Sequence, residues 1–270
     1  MAAMDGMRVI CIASNVPGPA AAGLLAAEGA QVIKVEPPFG DYLQSQAPGW
    51  YDELNAGFDI RRIDLRSPDG WAAFTALLTD ADVLISSHRR AALTRLGITV
   101  PALAQIAPQL CWVEVVGDTD APDIPGHDLT YQAEAGLLAP PAMPRSLFAD
   151  LAGVQAAARA ALALLMGRGR GDACRHRAVG LRQAALGLTA PLRHGVTAPG
   201  GFLSGARPEY RIYALRDGWV AMAALEPHFH DRFRASFGDD PAVALAALTR
   251  AQVDDLARAR DIPLCTLPAD

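Results

Sequence analysis

At 270 residues the chain exceeds the usual single-domain size, which predicts one large domain or two modest ones. Apolar residues make up 51% and charged residues 20%, enough for a packed core and unlike a disordered chain. The formal net charge of −5 gives no electrostatic basis for nucleic-acid binding, and four scattered cysteines without a CxxC signal neither a zinc site nor a disulfide framework.

The first residues, MAAMDGMRVICIAS, lack the basic and apolar regions of a signal peptide. No apolar run reaches the roughly eighteen residues a membrane span needs; the longest, Val154 to Met166, carries Arg159. A soluble chain in a reducing, cytoplasmic compartment is expected.

Along the chain, RVICIA (Arg8 to Ala13) is a β-branched run closed by Ser14 and Asn15. VPGP then breaks the chain, AAAGLLAAEGA supplies helix formers, and QVIKVE (Gln31 to Glu36) alternates as a strand up to Pro37. That is a β-α-β unit of the kind that builds parallel sheets. A second round has a strand over Ile60 to Leu65, a helix capped by Ser67 with Pro68 at its first position, and a strand over Asp82 to Ser86. LCWVEVV (Leu110 to Val116) predicts another buried strand. Gly117 to Arg145 turns to Pro, Asp and Gly around one helical piece, YQAEAGLLA.

The Ala/Leu-rich segment after Asp150 is the strongest helix signal in the chain. Beyond it, EYRIYALRDGWVAMAAL predicts a hairpin turning at Asp217-Gly218, and helices are expected over Pro227 to Phe237 and Asp240 to Arg260. The fold class is α/β: a Rossmann-like doubly wound parallel sheet over 1–145, and a long helix with a smaller α+β domain over 146–270.

Glycine spacing in VPGPAAAGLLAAEGA does not fit GxGxxG, its prolines obstruct backbone approach to a phosphate, and no GK[ST] occurs. His228 and His230 in LEPHFHD stand two apart, which on a helix puts them on different faces, so no metal site is expected. GRGRGDACRHR is a solvated turn. Three ionisable residues have unusual settings: His127 in PGHDLTY, Asp150 among Leu147, Phe148, Ala149 and Leu151, and Glu226 after the apolar strand WVAMAAL. Each has a plain structural explanation, a cap or a helix start; together they form an acid–base set if the fold joins them.

An ordered series of motifs resembles the family III CoA-transferases, the CaiB–BaiF group, and within it most closely the α-methylacyl-CoA racemases. It runs from VPGPAAAGLLAAEGAQVIKVEPPFGD through RSPDGWAAFTALLTDADVLISSHRRAALTRLG, PGHDLTYQAEAGLL and ADLAGVQAAARAALALL to YRIYALRDGWVAMAALEPHF and ARARDIPLCTLP. The resemblance implies a Rossmann-like domain, a smaller domain and an interlocked homodimer. It also implies coenzyme A as part of the substrate, with no permanently bound cofactor.

In the transferases, the aspartate matching Asp150 carries the acyl group as an anhydride. In the racemases it is one of two bases exchanging the α-proton of a 2-methylacyl-CoA; His127 matches the other, and Glu226 the glutamate that supports it. The free N–H groups at the start of the Asp150 helix are expected to stabilise the enolate oxygen. CoA contacts are implied at Val16, Pro17, Ser87, Arg89, Arg90, Arg95 and Leu96.

Departures stand beside these matches. Phe58 and Asp59 occupy positions where the family has basic residues, PPFGD lacks an arginine often found there, and VVGDTD replaces a GFG loop. The chain stops after DIPLCTLP where relatives usually continue. Three expectations follow: a 2-methylacyl-CoA racemase, a CoA-transferase acting through Asp150, or a diverged non-catalytic member that binds something else.

Overall fold

The β-branched runs become the strands of one parallel sheet in the computed structural model, which describes residues 2–269. Strands β1 (Arg8–Cys11), β2 (Gln31–Glu36), β3 (Asp59–Arg62), β4 (Val83–Ser86), β5 (Cys111–Val116) and β6 (His176–Gly180) lie in the order β3-β2-β1-β4-β5-β6, every neighbouring pair parallel. The order reverses between β1 and β4, so a crevice opens beyond their carboxyl ends, the usual ligand position in such sheets.

Between the strands run α1 (Pro17–Ala27), α2 (Tyr42–Gln46), α3 (Pro48–Leu54), α4 (Pro68–Thr79), α5 (Arg90–Arg95), α6 (Val100–Ile106), α7 (Asp128–Glu134) and α8 (Phe148–Gly169), with α9 (Leu181–Gly187) after β6. Side chains alternate across the sheet with the strand period of two. Val9, Cys11, Val83, Ile85, Val113 and Val115 meet α1 and α8, while Ile10, Leu84 and Trp112 meet α4, α5 and α6. Gly18 lets α1 start hard against β1, because a Cβ there would strike the Ala13 side chain. Ser67 caps α4 as expected, its Oγ accepting from the Gly70 N–H at 3.0 Å.

The large unit is longer than the expected 1–145, running to Thr189. Two interactions extend it. Ala157, Ala161 and Leu164 of α8 are buried in the core on one sheet face, and β6 pairs along β5 from Trp112–His176 to Val116–Gly180. By length and composition the 22-residue α8 is apolar enough to cross a membrane, which the sequence reading did not expect. Its Ala and Gly face is buried against the sheet, as in a core helix.

The second unit begins at Ala190. After α10 (Ala190–Arg193), strands β7 (Tyr210–Leu215), β8 (Gly218–Ala223) and, from the chain's end, β9 (Leu264–Pro268) form an antiparallel sheet in the order β7-β8-β9. The hairpin turns through Arg216 and Asp217, and the Asp217 carboxylate accepts from the Arg250 N–H at 2.8 Å. Helix α11 (Pro227–Phe237) matches its expectation. The second expected helix is divided into α12 (Pro241–Ala246) and α13 (Arg250–Arg260), because Thr249 and Gln252 form a reciprocal capping box that starts a new helix. Val220, Met222, Phe233, Phe237, Leu245 and Val253 fill the core of this unit.

Candidate active site

Beyond the carboxyl ends of β1, β4 and β5 lies a cleft of about 450 Å³, lined by His127, Arg89, Asp150, Tyr131, Ser87 and Pro17 among others. A smaller cleft of about 280 Å³ adjoins it through two shared residues, Ser14 and His88, and extends to Glu36, Arg66 and Leu96. The two clefts thus adjoin within the large unit.

His127 is the N-cap of α7. Its backbone N–H donates to Thr130 Oγ1 at 3.1 Å, and the Thr130 hydroxyl donates back to the His127 carbonyl at 2.8 Å. Thr130 thus carries the capping hydrogen bonds, and the exposed imidazole is left to the cleft. Gly126, just before it, is a close-approach glycine: a Cβ would meet the Tyr131 ring at 2.6 Å.

Asp150 is the third residue of α8, half-buried in the cleft wall. Burial, and then the negative charge of Asp128, push its carboxyl from 3.8 up to about 7. Near neutral pH it therefore holds a proton in a large share of molecules, the property a proton-exchanging group needs.

Asp128, buried in the first turn of α7, emerges as a residue that the sequence reading passed over. One oxygen accepts from the Ala149 and Asp150 N–H groups at 2.8 and 3.1 Å, and the other accepts from Gln132 Nε2 at 2.5 Å. The expectation that the start of α8 offers free donors to an enolate is corrected by these bonds. The N–H groups of its second and third residues are already taken by a carboxylate.

The loops forming the cleft wall are fixed by a buried ionic cluster. Lys34 on β2 lies 2.7 Å from Asp41 and 3.1 Å from Glu36, and Tyr51 donates to Glu36 at 2.8 Å. Asp41 also accepts from the Asn15 N–H at 3.1 Å, tying the turn after β1 to the turn after β2. Burial and the bond to Glu36 raise the Tyr51 phenol well above its ordinary range.

The remaining expected residues divide. Pro17, Ser87 and Arg89 line the larger cleft and Leu96 the smaller one. Val16 is buried against Leu43 and Tyr51, and Arg95 is exposed at the end of α5, outside both linings. Arg90, expected to meet CoA, is committed elsewhere. Its guanidinium grips Glu114 at 3.1 and 2.8 Å, and that wholly buried carboxylate also meets His176 Nε2 at 3.1 Å. Burial alone would raise the Glu114 pKa, but the bonds from His176 and Arg90 outweigh it and hold the group low.

Glu226 is placed in the second unit, exposed at the N-cap of α11, where its carbonyl accepts from the His230 N–H. The structure thus brings His127 and Asp150 to one cleft and places Glu226 in the other unit. His228 and His230 lie within α11, and among the described residues no group of three or more His, Cys, Asp or Glu is arranged to hold a metal ion.

Two further cleft residues escaped the sequence reading. His88 has its Nδ1 buried without a partner, and burial lowers its pKa. Glu36 likewise keeps one buried oxygen, Oε2, unpartnered beside the smaller cleft. Such atoms cost free energy unless a ligand or water meets them. The HRR triplet already carried His88, but nothing local distinguishes it from a surface histidine.

A family model described as CoA-transferase family III matches residues 4–262. The chain is 27% identical to a cinnamoyl-CoA:phenyllactate CoA-transferase of Clostridium sporogenes, over 88% of this chain and 66% of that one. It is 29% identical to an α-methylacyl-CoA racemase of Homo sapiens, over 85% of this chain and 63% of that one. The chain therefore spans just under two thirds of the length of these relatives. A solved structure of a hypothetical protein from Mycobacterium tuberculosis superposes with a TM-score of 0.84 at 24% identity, covering 100% of this chain and 84% of that one, and shares the fold.

Proposed function

The chain belongs to CoA-transferase family III, and we propose that it acts on acyl-CoA thioesters, racemising a 2-methylacyl-CoA by exchange of its α-proton through an enolate. The observation that carries this reading is Asp150: a carboxyl raised to about 7 in the wall of the cleft that His127 also lines. Inversion needs one group to remove the α-proton from one face and a second, already protonated, to return a proton to the other. A carboxyl titrating near neutrality serves either role, and His127 serves the complementary one. The acyl thioester lies between them in the larger cleft. The nucleotide end of CoA runs into the smaller one, where Arg66 meets phosphate and the unpartnered His88 Nδ1 and Glu36 Oε2 meet polar edges of the base.

The similarity to a named CoA-transferase favours a second reading. In it, ionised Asp150 attacks the thioester carbonyl, the C–S bond breaks, and CoA leaves as thiolate with the acyl group held as a mixed anhydride. The thiolate then attacks the Asp150 carbonyl and frees the donor acid. An acceptor carboxylate displaces the thiolate from the resulting Asp150–CoA thioester, forming a second anhydride whose acceptor carbonyl the thiolate finally takes, restoring the Asp150 carboxylate. This route needs the ionised form, which is the minor one below about pH 7.

Supporting a dimeric acting form, α8 exposes Phe148, Leu151, Leu162 and Met166 at helical spacing.

Incubating a 2-methylacyl-CoA with the protein in D2O is expected to place deuterium at the α-carbon, read by mass spectrometry, and Asp150→Asn is expected to lose about 10²–10⁴-fold of that rate. A hydroxylamine-trappable acyl adduct at Asp150 without α-exchange would replace racemisation with transfer. Failure of the folded protein to bind CoA or acyl-CoA in a calorimeter would reject both in favour of a diverged binding protein.

A further inference from the structure

We propose that Asp128 is a positioning residue for the proton-exchange reading above, on which its functional meaning rests: its carboxylate anchors the first turn of α8, and its charge sets which form of Asp150 the cleft presents at neutral pH. The geometry is a bridge between two helix beginnings. Asp128 is the first residue of α7, yet its Oδ1 accepts from two N–H groups at the start of α8, more than twenty positions along the chain. Its other oxygen is held by Gln132, one turn on in α7, and the same Gln132 amide donates to the Ser146 carbonyl just before α8. A carboxylate at a helix N-terminus is itself well placed, since it meets unpaired donors and the positive end of the helix dipole. The Asp150 carboxyl must hold its charge beside that carboxylate, which raises it.

The surroundings leave that repulsion largely uncancelled. Burial and Asp128, in that order, are what raise Asp150, and no cation stands among the causes. From α7, Tyr131 faces the same carboxyl, and its phenol is raised by burial and by Asp150. His127 and Arg89 line the same cleft from their own loops. Helix α1 presents no titratable side chain. On β5, Glu114 is engaged by Arg90 and His176, and on α9, Arg182 is engaged by Glu134 and Asp118.

Because burial is the larger cause, removing the Asp128 charge should lower Asp150 only part of the way to its ordinary value. Asp128→Asn tests this, since its amide oxygen can still accept from Ala149 and Asp150 while the charge is gone. Gln132 has a buried Oε1 without a partner that can turn to meet the new amide nitrogen. The expected result is an acid shift of roughly one pH unit in the Asp150 midpoint, read by carboxyl-13C NMR with Asp150→Asn to assign the signal. The acid limb of the α-exchange rate is expected to move with it. Asp128→Ala should shift the midpoint as far and lower the melting temperature more, because it also deletes the cap. An unmoved Asp150 midpoint in folded Asp128→Asn would overturn the proposal. The NMR readout needs no turnover, so a protein without α-exchange would reject the racemase reading while leaving this one tested.

Discussion

Two pairs of carboxylates, Glu36 with Asp41 and Asp128 with Asp150, each send one member into a wall of these clefts, and their fates differ. Glu36 and Asp41 share the buried ammonium of Lys34 at 3.1 and 2.7 Å, with Tyr51 donating a further hydrogen bond to Glu36. Asp128 and Asp150 share only a helix beginning, and what acts on Asp150 is burial and the Asp128 charge. Where a counter-charge is built in, the carboxylates are fixed scaffold that ties one turn to another. Where it is withheld, one carboxylate takes the helix N-terminus and the other becomes a proton store near neutrality. The same residue type is structural in one pair and chemical in the other, and the placement of one lysine makes the difference.

The strongest way to break that comparison is to remove the lysine. Lys34→Met leaves two buried acids without their cation, and a loss of about 3–5 kcal/mol in unfolding free energy is expected by chemical denaturation. The Asp150 midpoint should be unchanged in any Lys34→Met that remains folded. A stability near wild type would show that Lys34 does not hold the cluster.

A smaller effect of opposite sign is expected in the other pair. Folded Asp150 keeps its proton to about pH 7, whereas the unfolded carboxyl gives it up near 3.8. As pH rises between these values the unfolded state loses its proton first, so wild-type stability falls through that window and then levels off. Asp150→Asn escapes this penalty. It should be more stable than wild type at pH 8, by roughly 2 kcal/mol once the full shift is about halved for solvent screening at a half-buried group, and the gain should vanish near pH 4. A stability difference independent of pH would remove the proton store from the comparison.

Much of the frame was legible in the chain. VICI, VLIS and CWVEV are buried strands because their runs are almost wholly apolar, Glu114 being the charged exception, and Ser67-Pro68 marks a helix start by local chemistry alone. The strand β6 was not legible: HRAVG is a half-exposed sheet edge whose first residues, His176 and Arg177, are polar, so its pattern is not apolar. Missing it moved the expected end of the first unit from 189 back to 145. The break between α12 and α13 was written locally, in Thr249 and Gln252, but a run of helix formers on both sides obscured it.

The site divides in the same way. His127 and Asp150 stood out by their neighbours in sequence. Arg90 was expected at CoA from the family resemblance, whereas its partner is Glu114, the glutamate inside LCWVEVV. Asp128 is adjacent to a residue that was singled out, yet its partners are the N–H groups of Ala149 and Asp150, which only the folded chain brings to it.

The most direct test of the account is the titration of the Asp150 carboxyl in the wild-type protein, followed by 13C NMR across the acid to neutral range. A midpoint near 7 is the result the account predicts. A midpoint in the ordinary carboxylate range, close to 3.8, would mean that Asp150 is a plain ionised residue at a helix beginning, and would contradict it.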